Sequence, residues 1–525
     1  MFIRGILWVA CLCISTQLVA SPQTKQPAPV APKAGDLGKG APKKDVDMSK
    51  NIPTKTVETK EEKAKERVKR TAPTMHEANT FIRSEMGTLD TKARADSLRV
   101  KALASMRNML KTQKGMNDNR KYELLLRSGE IHLERHDYLR EVEIETYTQK
   151  WDNWEKAKKG SPPKPSYAGS KKQIDNTIAI FKTLVKQYPK HPRTDSALYA
   201  LGSALARMDN PECVNYFQKL LKDHPKSPLY PDVYLALGEY NFDKHNVAAA
   251  IDNYKKVLNY KTHPAYIYAK YKLAWSYYNS PSDSEAGQIK NWELAARNLK
   301  DVIRLSGKDG KQAGKFALRE EALNDLVMVW ADLNAVEIAW NYFRSLGEID
   351  KFYNMLERLG WIYLDQGKND RAIVVYERLL REAPLRASSP KIHTRLLELY
   401  DTKDSTQQVV GLLNNMVEFY KPDSPWTKAH QKNNQAAIID ARDQLEKHVH
   451  RYGALYHDRA QKSKNEAYYA AAVNLYKLHL QEFPKSKVRL DIMYYMAEAL
   501  YDLKRYEESS DAFYLVAIQS PPESK

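Results

Sequence analysis

The amino-acid sequence predicts an all-α protein, an α-solenoid in which helix hairpins stack one on the next. The main observation is a pattern of apolar and small residues that recurs along the chain, with a proline after several copies. Within each copy the apolar residues form two stripes with helical spacing. The composition agrees, because 20 glycines among 525 residues fit poorly with a large parallel α/β enzyme and its many turns. A chain of this length exceeds one core, so several domains or a repeat array are expected.

Residues 1–20 predict a secretory signal peptide. Arg4 supplies a positive start, an apolar run occupies residues 5–14, and a small-residue cleavage site ends at Ala20. The apolar run is too short to span a bilayer as a stable helix, although a short membrane anchor that is never cut is the alternative. Export through this leader predicts a periplasmic or outer-membrane-associated protein.

The cysteines argue against a lipid anchor and against disulfides. A lipidated cysteine would have to be Cys11, but it follows too short an apolar run, and the bulky Trp8 stands where leucine is usual. Cys11 and Cys13 would leave with the leader, so Cys213 would be the one remaining thiol and no internal disulfide is expected. We expect Cys213 to be a buried small residue.

Residues 21–72 have the composition of a disordered linker. Proline, lysine and alanine are frequent in its first half, charged residues are frequent in its second half, and large apolar side chains are almost absent. The segment serves either as a spacer or, because it is basic, as an arm that contacts phosphate-rich lipid or cell-wall polymer. Residues 73–121 are predicted to form an N-terminal helical segment. No later apolar run is long enough for a transmembrane helix.

The repeat is clearest between residues 356 and 384. Its two apolar stripes and its final proline comprise Leu356, Leu359, Gly360 and Tyr363, then Ala372, Tyr376 and Leu379, then Pro384. Residues of similar type or size recur 137 positions later and 122 positions earlier. We expect Gly360 to let the second helix approach closely and Tyr376 to fill the space between the two helices, while Pro384 ends the unit.

Less regular copies extend the array over residues 122–522, with about nine units in all. One copy pairs a first helix that contains Gly202 with a second helix in which Cys213 takes the place of alanine. The first unit is interrupted by an insert at 134–172, whose charged first half is predicted to prolong the opening helix and whose second half is predicted to be exposed. The segment 391–420 has a helical but degenerate pattern.

The pattern resembles the tetratricopeptide repeat family, whose Leu/Gly/Tyr and Ala/Phe/Pro positions are matched best by the three segments aligned above. The resemblance implies antiparallel helix pairs stacked in a right-handed superhelix. Units that end in Tyr-Pro, His-Pro or Phe-Pro are similar to those of bacterial envelope proteins, including assembly lipoproteins of the Bam complex and Tol-associated periplasmic coordinators. In the overall character of its sequence, the insert is similar to large periplasmic repeat proteins of deltaproteobacteria, some of which belong to the gliding-motility apparatus.

First helices line the concave groove of tetratricopeptide arrays, so residues just off their packing stripes are candidates for partner binding. In the helix that begins near Ala265, four aromatic residues spaced 3, 4 and 3 apart share one face. The candidate groove residues are Tyr199, Leu235, Phe242, Tyr268, Tyr271, Trp275, Tyr278 and Trp361. Aromatic rings with polar tips are frequent in peptide-binding surfaces. The alternative is a tightly wound superhelix in which these rings pack against neighbouring units.

We recognise no catalytic, cofactor or metal motif in the sequence. His132 and His136 lie four residues apart on a predicted helix, but no third ligand follows at a telling spacing. We therefore expect them to contribute surface charge. His448, His450 and His457 are equally unconvincing as ligands.

The sequence therefore predicts a non-enzymatic envelope scaffold that binds protein or peptide partners, as part of a gliding-motility or outer-membrane complex. The formal net charge of +18, from 83 Lys and Arg against 65 Asp and Glu, supports an alternative, a basic adaptor that binds cell wall or lipopolysaccharide. That alternative requires clustered cations on the folded surface. An enzyme with its site in the insert or in the degenerate unit has no positive support, and the leader argues against a nucleic-acid partner.

Overall fold

A computed structural model describes residues 89–113, 115–307 and 313–520, so the predicted leader and linker lie outside the described residues. The described part of the chain contains twenty helices and no strand, which confirms the all-α prediction. It divides into two compact units, of which the first ends at Ala335 and the second begins at Val336.

The first unit contains ten helices, most of which pair as hairpins. They are α1 (Leu89–Thr112), α2 (Asp118–Ala157), α3 (Ala168–Gln187), α4 (Thr194–Arg207), α5 (Glu212–Asp223), α6 (Tyr230–Asp243), α7 (Val247–Val257), α8 (Ala265–Tyr278), α9 (Glu285–Ser306) and α10 (Ala313–Asp332). Helices α2 and α3 form one hairpin, and α4 with α5, α6 with α7 and α8 with α9 form the next three. Helix α1 packs on α2, where Asp96 accepts two hydrogen bonds from Arg135 at 2.9 and 3.2 Å.

Helix α2 is long because the charged start of the predicted insert continues it to Ala157. Asn117 caps its first turn by accepting a hydrogen bond from the backbone N–H of Arg120 at 2.8 Å. In the C-terminal half of α2, the carboxylate of Glu143 accepts hydrogen bonds from the backbone N–H groups of Gly169 and Ser170, at 2.8 and 3.1 Å. This contact satisfies free donors at the start of α3 and ties the chain that returns from the insert to α2.

The second unit also contains ten helices. They are α11 (Val336–Ser345), α12 (Ile349–Asp365), α13 (Asn369–Glu382), α14 (Ser389–Thr402), α15 (Thr406–Tyr420), α16 (Pro425–His430), α17 (Gln435–Ser463), α18 (Glu466–Glu482), α19 (Arg489–Asp502) and α20 (Tyr506–Gln519). Hairpins form from α12 and α13, α14 and α15, α17 and α18, and α19 and α20. The degenerate segment 391–420 is therefore helical, as its pattern predicts.

The stripes predicted from the sequence are the cores of these hairpins. In α12, Leu356, Leu359 and Tyr363 are fully buried, and Ala372 and Tyr376 of α13 are buried against them. In the first unit one continuous apolar cluster extends from Tyr122 to Tyr240 and includes Cys213, which is buried as predicted. Burial of these stripes supplies the main stabilisation of each hairpin, since short isolated helices are marginal in water.

Five of the described turns between paired helices contain a left-handed residue. Asp209, His245, Gly367, Asp404 and Lys504 all have φ between 53° and 70°. The residue after each of them donates its backbone N–H to a carbonyl five positions earlier, at 2.8–3.0 Å. This bond satisfies a carbonyl at the end of the first helix and turns the chain sharply into the second.

Candidate partner-binding cleft

Three consecutive helices of the second unit enclose a cleft of about 410 Å³. Helices α12 and α14, the first helices of successive hairpins, form its sides, and α13 contributes to its floor. The lining residues are Asn354, Glu357, Arg358, Trp361, Tyr376, Lys391, Ile392 and Arg395.

Trp361 is the aromatic residue that this cleft leaves open to solvent. Its side chain is 50% exposed, whereas Leu359 and Tyr363 on the packing stripe of the same helix are fully buried. The difference follows from helical geometry, because Trp361 lies off the stripe that faces α13. A large ring held on a rigid helix can anchor an apolar group of a partner with little loss of side-chain entropy.

The charges around Trp361 are mainly positive. Arg358 and Lys391 are exposed and form no ion pair with any residue in the described part of the chain. Arg395 lies 2.9 Å from Glu398, and Glu357 is the acidic residue that lines the cleft. The cleft therefore favours a partner with carboxylate groups over one with cations.

Tyr376 forms a rigid floor for the cleft. Its ring contacts Gly360 so closely that a Cβ atom there would lie 2.5 Å from the ring Cε1. Burial raises the pKa of the Tyr376 hydroxyl, with Arg395 acting in the opposite direction. The hydroxyl therefore stays protonated at physiological pH and can only act as a neutral hydrogen-bonding group.

Of the eight candidate groove residues, most are buried within the chain. Tyr199, Leu235, Tyr268, Tyr271 and Trp275 are 1–5% exposed, Phe242 and Tyr278 are half-buried, and Trp361 is exposed. Burial favours the packing alternative for the first five. A partner contact at any of the eight stays a prediction, and Trp361 is the member best placed for one.

The aromatic stripe of α8 packs against α10. The hydroxyl of Tyr271 and the indole N–H of Trp275 both donate to Oδ2 of Asp325, at 2.8 and 2.9 Å. Farther along the same helix, the hydroxyl of Tyr278 donates to Oδ2 of Asp332 at 2.6 Å. The polar tips of these rings are thus used inside the first unit, because α10 supplies carboxylates at the matching spacing.

Sequence reasoning identified Trp361 but missed the cations beside it. Arg358 lies three residues before Trp361 and therefore on the same face of α12, and Lys391 and Arg395 are four apart on α14. The position of Arg358 beside Trp361 could have been predicted from the sequence, because residues three apart in a helix lie on the same face. The position of Lys391 and Arg395 near Trp361 could not have been predicted, because the approach of α14 to α12 depends on how the hairpins stack.

The prediction of surface roles for His132 and His136 is wrong. Both side chains are buried, with Nδ1 of His132 2.7 Å from Oε1 of Gln173 and Nδ1 of His136 2.9 Å from the carbonyl oxygen of Ser170. Burial lowers the pKa of both imidazoles. The physical reason is the return of α3 along α2, which supplies a polar partner for each ring.

The described residues contain no group of three or more His, Cys, Asp or Glu side chains placed to hold a metal ion. Among the helices that the structure describes, none has the length and apolar character needed to cross a bilayer. The cleft has apolar surface, an anchor ring and cations, which suit it to binding a chain segment. We find no paired nucleophile and base in it.

The fold and the cleft together define a helix-hairpin repeat protein. Two segments, 196–227 and 355–385, match the tetratricopeptide repeat family. They correspond to the hairpins α4–α5 and α12–α13, so the family resemblance is confirmed over these two segments. The match indicates no catalytic family, and arrays of this type act mainly as protein-interaction scaffolds.

Similar solved structures include a tetratricopeptide repeat protein from Parabacteroides merdae, at 14% identity and a TM-score of 0.28, with 57% of this chain and 98% of that chain covered. Another is the Rap protein complexed with competence and sporulation factor, at 15% identity and a TM-score of 0.22, with 71% and 97% covered. No curated protein sequence matches the chain.

Proposed function

We propose that the protein is a non-enzymatic scaffold of the bacterial cell envelope and that it binds a protein or peptide partner in the cleft around Trp361. The observation that carries the proposal is the 50% exposure of Trp361 between first helices, in an array that buries most of its other candidate groove residues. A repeat array offers surface and no chemistry of its own, which suits a structural role.

The partner we propose presents an apolar side chain next to carboxylates. The ring of Trp361 would receive the apolar group, and Arg358 and Lys391, which have no acidic partner among the described residues, would receive the charges. Exposed cations such as these contribute more to selectivity and association rate than to affinity.

The periplasm or the outer membrane is the proposed location, and a gliding-motility or outer-membrane complex is the proposed setting. The predicted leader and the similarity of the repeats to those of bacterial envelope proteins support both. Cell fractionation tests the location directly, and recovery of the full-length chain in the cytoplasmic fraction would contradict it.

The binding proposal is tested by purifying the tagged full chain from native envelopes and identifying the proteins that accompany it. We expect Trp361→Ala to lose at least one partner that the unaltered chain retains, and Lys391→Glu to weaken the same partner. Tyr501→Ala is the matched control, because Tyr501 is 59% exposed but lies outside the cleft. Identical partner sets for Trp361→Ala and Tyr501→Ala, in variants with unchanged thermal unfolding, would rule out the cleft.

A further inference from the structure

One edge of the first unit carries a cluster of exposed lysines. These residues occupy the ends of α3, α5 and α7 and the loops that follow them. We call the set the lysine edge, and its members are Lys186, Lys190, Lys222, Lys226, Lys256 and Lys261.

The repeat places these lysines at one edge. Second helices of stacked hairpins run in the same direction, so α3, α5 and α7 end on the same side of the array. Pro192, Pro228 and Pro264 mark the following loops at intervals of 36 residues. Lys186 and Lys222 are likewise 36 residues apart, as are Lys190 and Lys226, so equivalent cations recur in successive hairpins. Lys256 and Lys261 follow at nearly the same interval.

The charges of the six lysines are largely left without acidic partners, although Lys222 contributes to the lowered pKa of the nearby Asp223. Within the described ranges none of them forms an ion pair, although the ammonium of Lys256 lies 5.3 Å from the ring centroid of Tyr234. The acidic groups near the edge have other partners. Asp223 lies 2.6 Å from Lys219, Asp195 accepts a hydrogen bond from Ser227 at 2.7 Å, and Asp232 lies 3.5 Å from Nε2 of His263.

Stabilisation of helix ends explains part of this cluster. Cations in the last turn of a helix interact favourably with its dipole, which accounts for Lys186, Lys222 and Lys256. The effect fades within one turn, so it gives no reason for Lys190, Lys226 and Lys261, which lie in the loops beyond the helices.

The second unit provides an internal comparison. Arg378 in the last turns of α13 lies 2.9 Å from Glu382 and 2.7 Å from Glu337, and Lys421 after α15 pairs with Glu418. Other cations at helix ends of that unit, Arg381 of α13 and Lys485 after α18, are exposed and form no ion pair in the described part of the chain. What distinguishes the lysine edge is therefore the succession of six such cations over three hairpins. Repulsion among unpaired like charges is unfavourable unless a ligand neutralises them.

We propose that the lysine edge binds a linear anionic polysaccharide. Regular cations along several hairpins suit a polymer with repeating carboxylate, sulfate or phosphate groups, because each hairpin adds a contact and the contacts act together. A small anion would engage one hairpin and gain nothing from the repetition. This surface is separate from the cleft around Trp361, so it adds a second type of partner to the proposed scaffold.

Fluorescence anisotropy with labelled heparin, used as a model linear anionic polysaccharide, tests the proposal on the full chain. We expect Lys186→Gln, Lys190→Gln, Lys222→Gln and Lys226→Gln combined in one variant to weaken binding on the order of tenfold or more, and to reduce its dependence on salt between about 50 and 200 mM. Long heparin should bind far more tightly than a heparin disaccharide.

The matched control carries Lys150→Gln, Lys159→Gln, Lys428→Gln and Lys447→Gln. These four lysines are exposed and lie off the edge, so the control loses the same total charge and retains the basic N-terminal residues. It should bind heparin within about twofold of the unaltered chain, because scattered surface charges contribute little. Circular dichroism checks that both variants are folded.

Three results would overturn the proposal. The first is equal weakening in the control and the edge variant, which would assign binding to overall charge. The second is equal affinity for disaccharide and polymer. The third is tighter binding to single-stranded DNA or to phosphatidylglycerol vesicles than to heparin, which would assign the edge to a nucleic acid or a membrane surface.

Discussion

Gly360 and Tyr376 lie against each other so closely that one methyl group added to Gly360 would stand 2.5 Å from the tyrosine ring. The glycine belongs to the first helix of a hairpin and the tyrosine to the second. Four other hairpins repeat the arrangement with a glycine against an aromatic ring, namely Gly129 with Phe181, Gly202 with Phe217, Gly238 with Tyr254 and Gly453 with Tyr476. The pair sets how closely two helices approach and fills the space between them with one large ring.

Gly360→Ala should therefore destabilise the second unit. Overpacking of a rigid core typically costs about 1–3 kcal/mol, while the higher helix propensity of alanine returns up to about 1 kcal/mol. We expect a net loss of about 1–2 kcal/mol, measured as a lower midpoint of chemical unfolding.

Gly411→Ala is the control for this substitution. Gly411 lies in the exposed face of α15, and an added Cβ would meet nothing within 4 Å. Alanine should stabilise the protein there by about 0.5–1 kcal/mol. Equal effects of the two substitutions would refute the role assigned to the glycine–ring contact.

Lys272 and Glu239 form an ion pair inside the first unit. Their side chains are 1% and 8% exposed, Nζ of Lys272 lies 3.5 Å from Oε2 of Glu239, and the hydroxyl of Tyr254 donates to Oε1 at 2.9 Å. Lys272→Met leaves the carboxylate buried without its cation and should cost about 3 kcal/mol of unfolding free energy. Adding Glu239→Gln, which removes the stranded charge and keeps an acceptor for Tyr254, should recover much of that loss.

An exposed pair offers the comparison. Lys219 and Asp223 are 2.6 Å apart but largely in solvent, so Lys219→Gln should change the unfolding free energy by less than about 0.5 kcal/mol. If Lys272→Met were equally mild, the buried pair would be less important than its geometry indicates. Thermal and urea unfolding of the three variants decide the question.

Acid should weaken the second unit through buried histidines. Burial lowers the pKa of His393 and of His479 to about 4, and both ring nitrogens of His479 lack a hydrogen-bond partner in the described structure. Around His479 lie Glu446 at 3.8 Å, the ring of His450 at 6.0 Å, and Arg489. Carrying a proton on either buried ring is therefore unfavourable.

The direction in which the unfolding free energy changes with pH follows from the protonation of these histidines in the folded and unfolded chain. Between pH 6.5 and about 4 the unfolded chain binds protons that the folded chain does not, so the unfolding free energy falls as pH falls through this range and levels off below it. Each histidine contributes roughly 3 kcal/mol to the total change. His479→Phe should flatten the dependence. A pH series of urea unfolding curves for the unaltered chain and for this variant measures the change.

Cys213 should be inert to thiol reagents while the protein is folded. It is fully buried, and burial raises the pKa of its thiol to about 11, so the reactive thiolate is scarce at neutral pH. In a chain with Cys11→Ser and Cys13→Ser, we expect negligible reaction with a disulfide reagent in buffer and one equivalent in denaturant. Rapid reaction under native conditions would show that α5 opens readily.

Local spacing in the sequence was sufficient to predict the hairpins. Gly360 and Tyr376 are 16 residues apart, and the stripes that flank them follow the helical period, so each hairpin is specified by a short stretch of chain. The burial of Cys213 follows from the same spacing, because it occupies the place of a small residue at the helix crossing. These predictions needed no knowledge of distant contacts.

The burial of individual aromatic rings and the pairing of individual charges depended on distant parts of the chain. Tyr271 and Trp275 are buried because Asp325, fifty residues or more beyond them, accepts their hydrogen bonds, while Trp361 is exposed because α14 leaves its ring uncovered. Lys272 is buried because Glu239 of another hairpin compensates its charge. The sequence alone thus determined the helices and the pairing within each hairpin, since both arise from nearby residues. Only the tertiary structure decided which side chains are covered and which charges are paired, because stacking brings together groups that no local period relates.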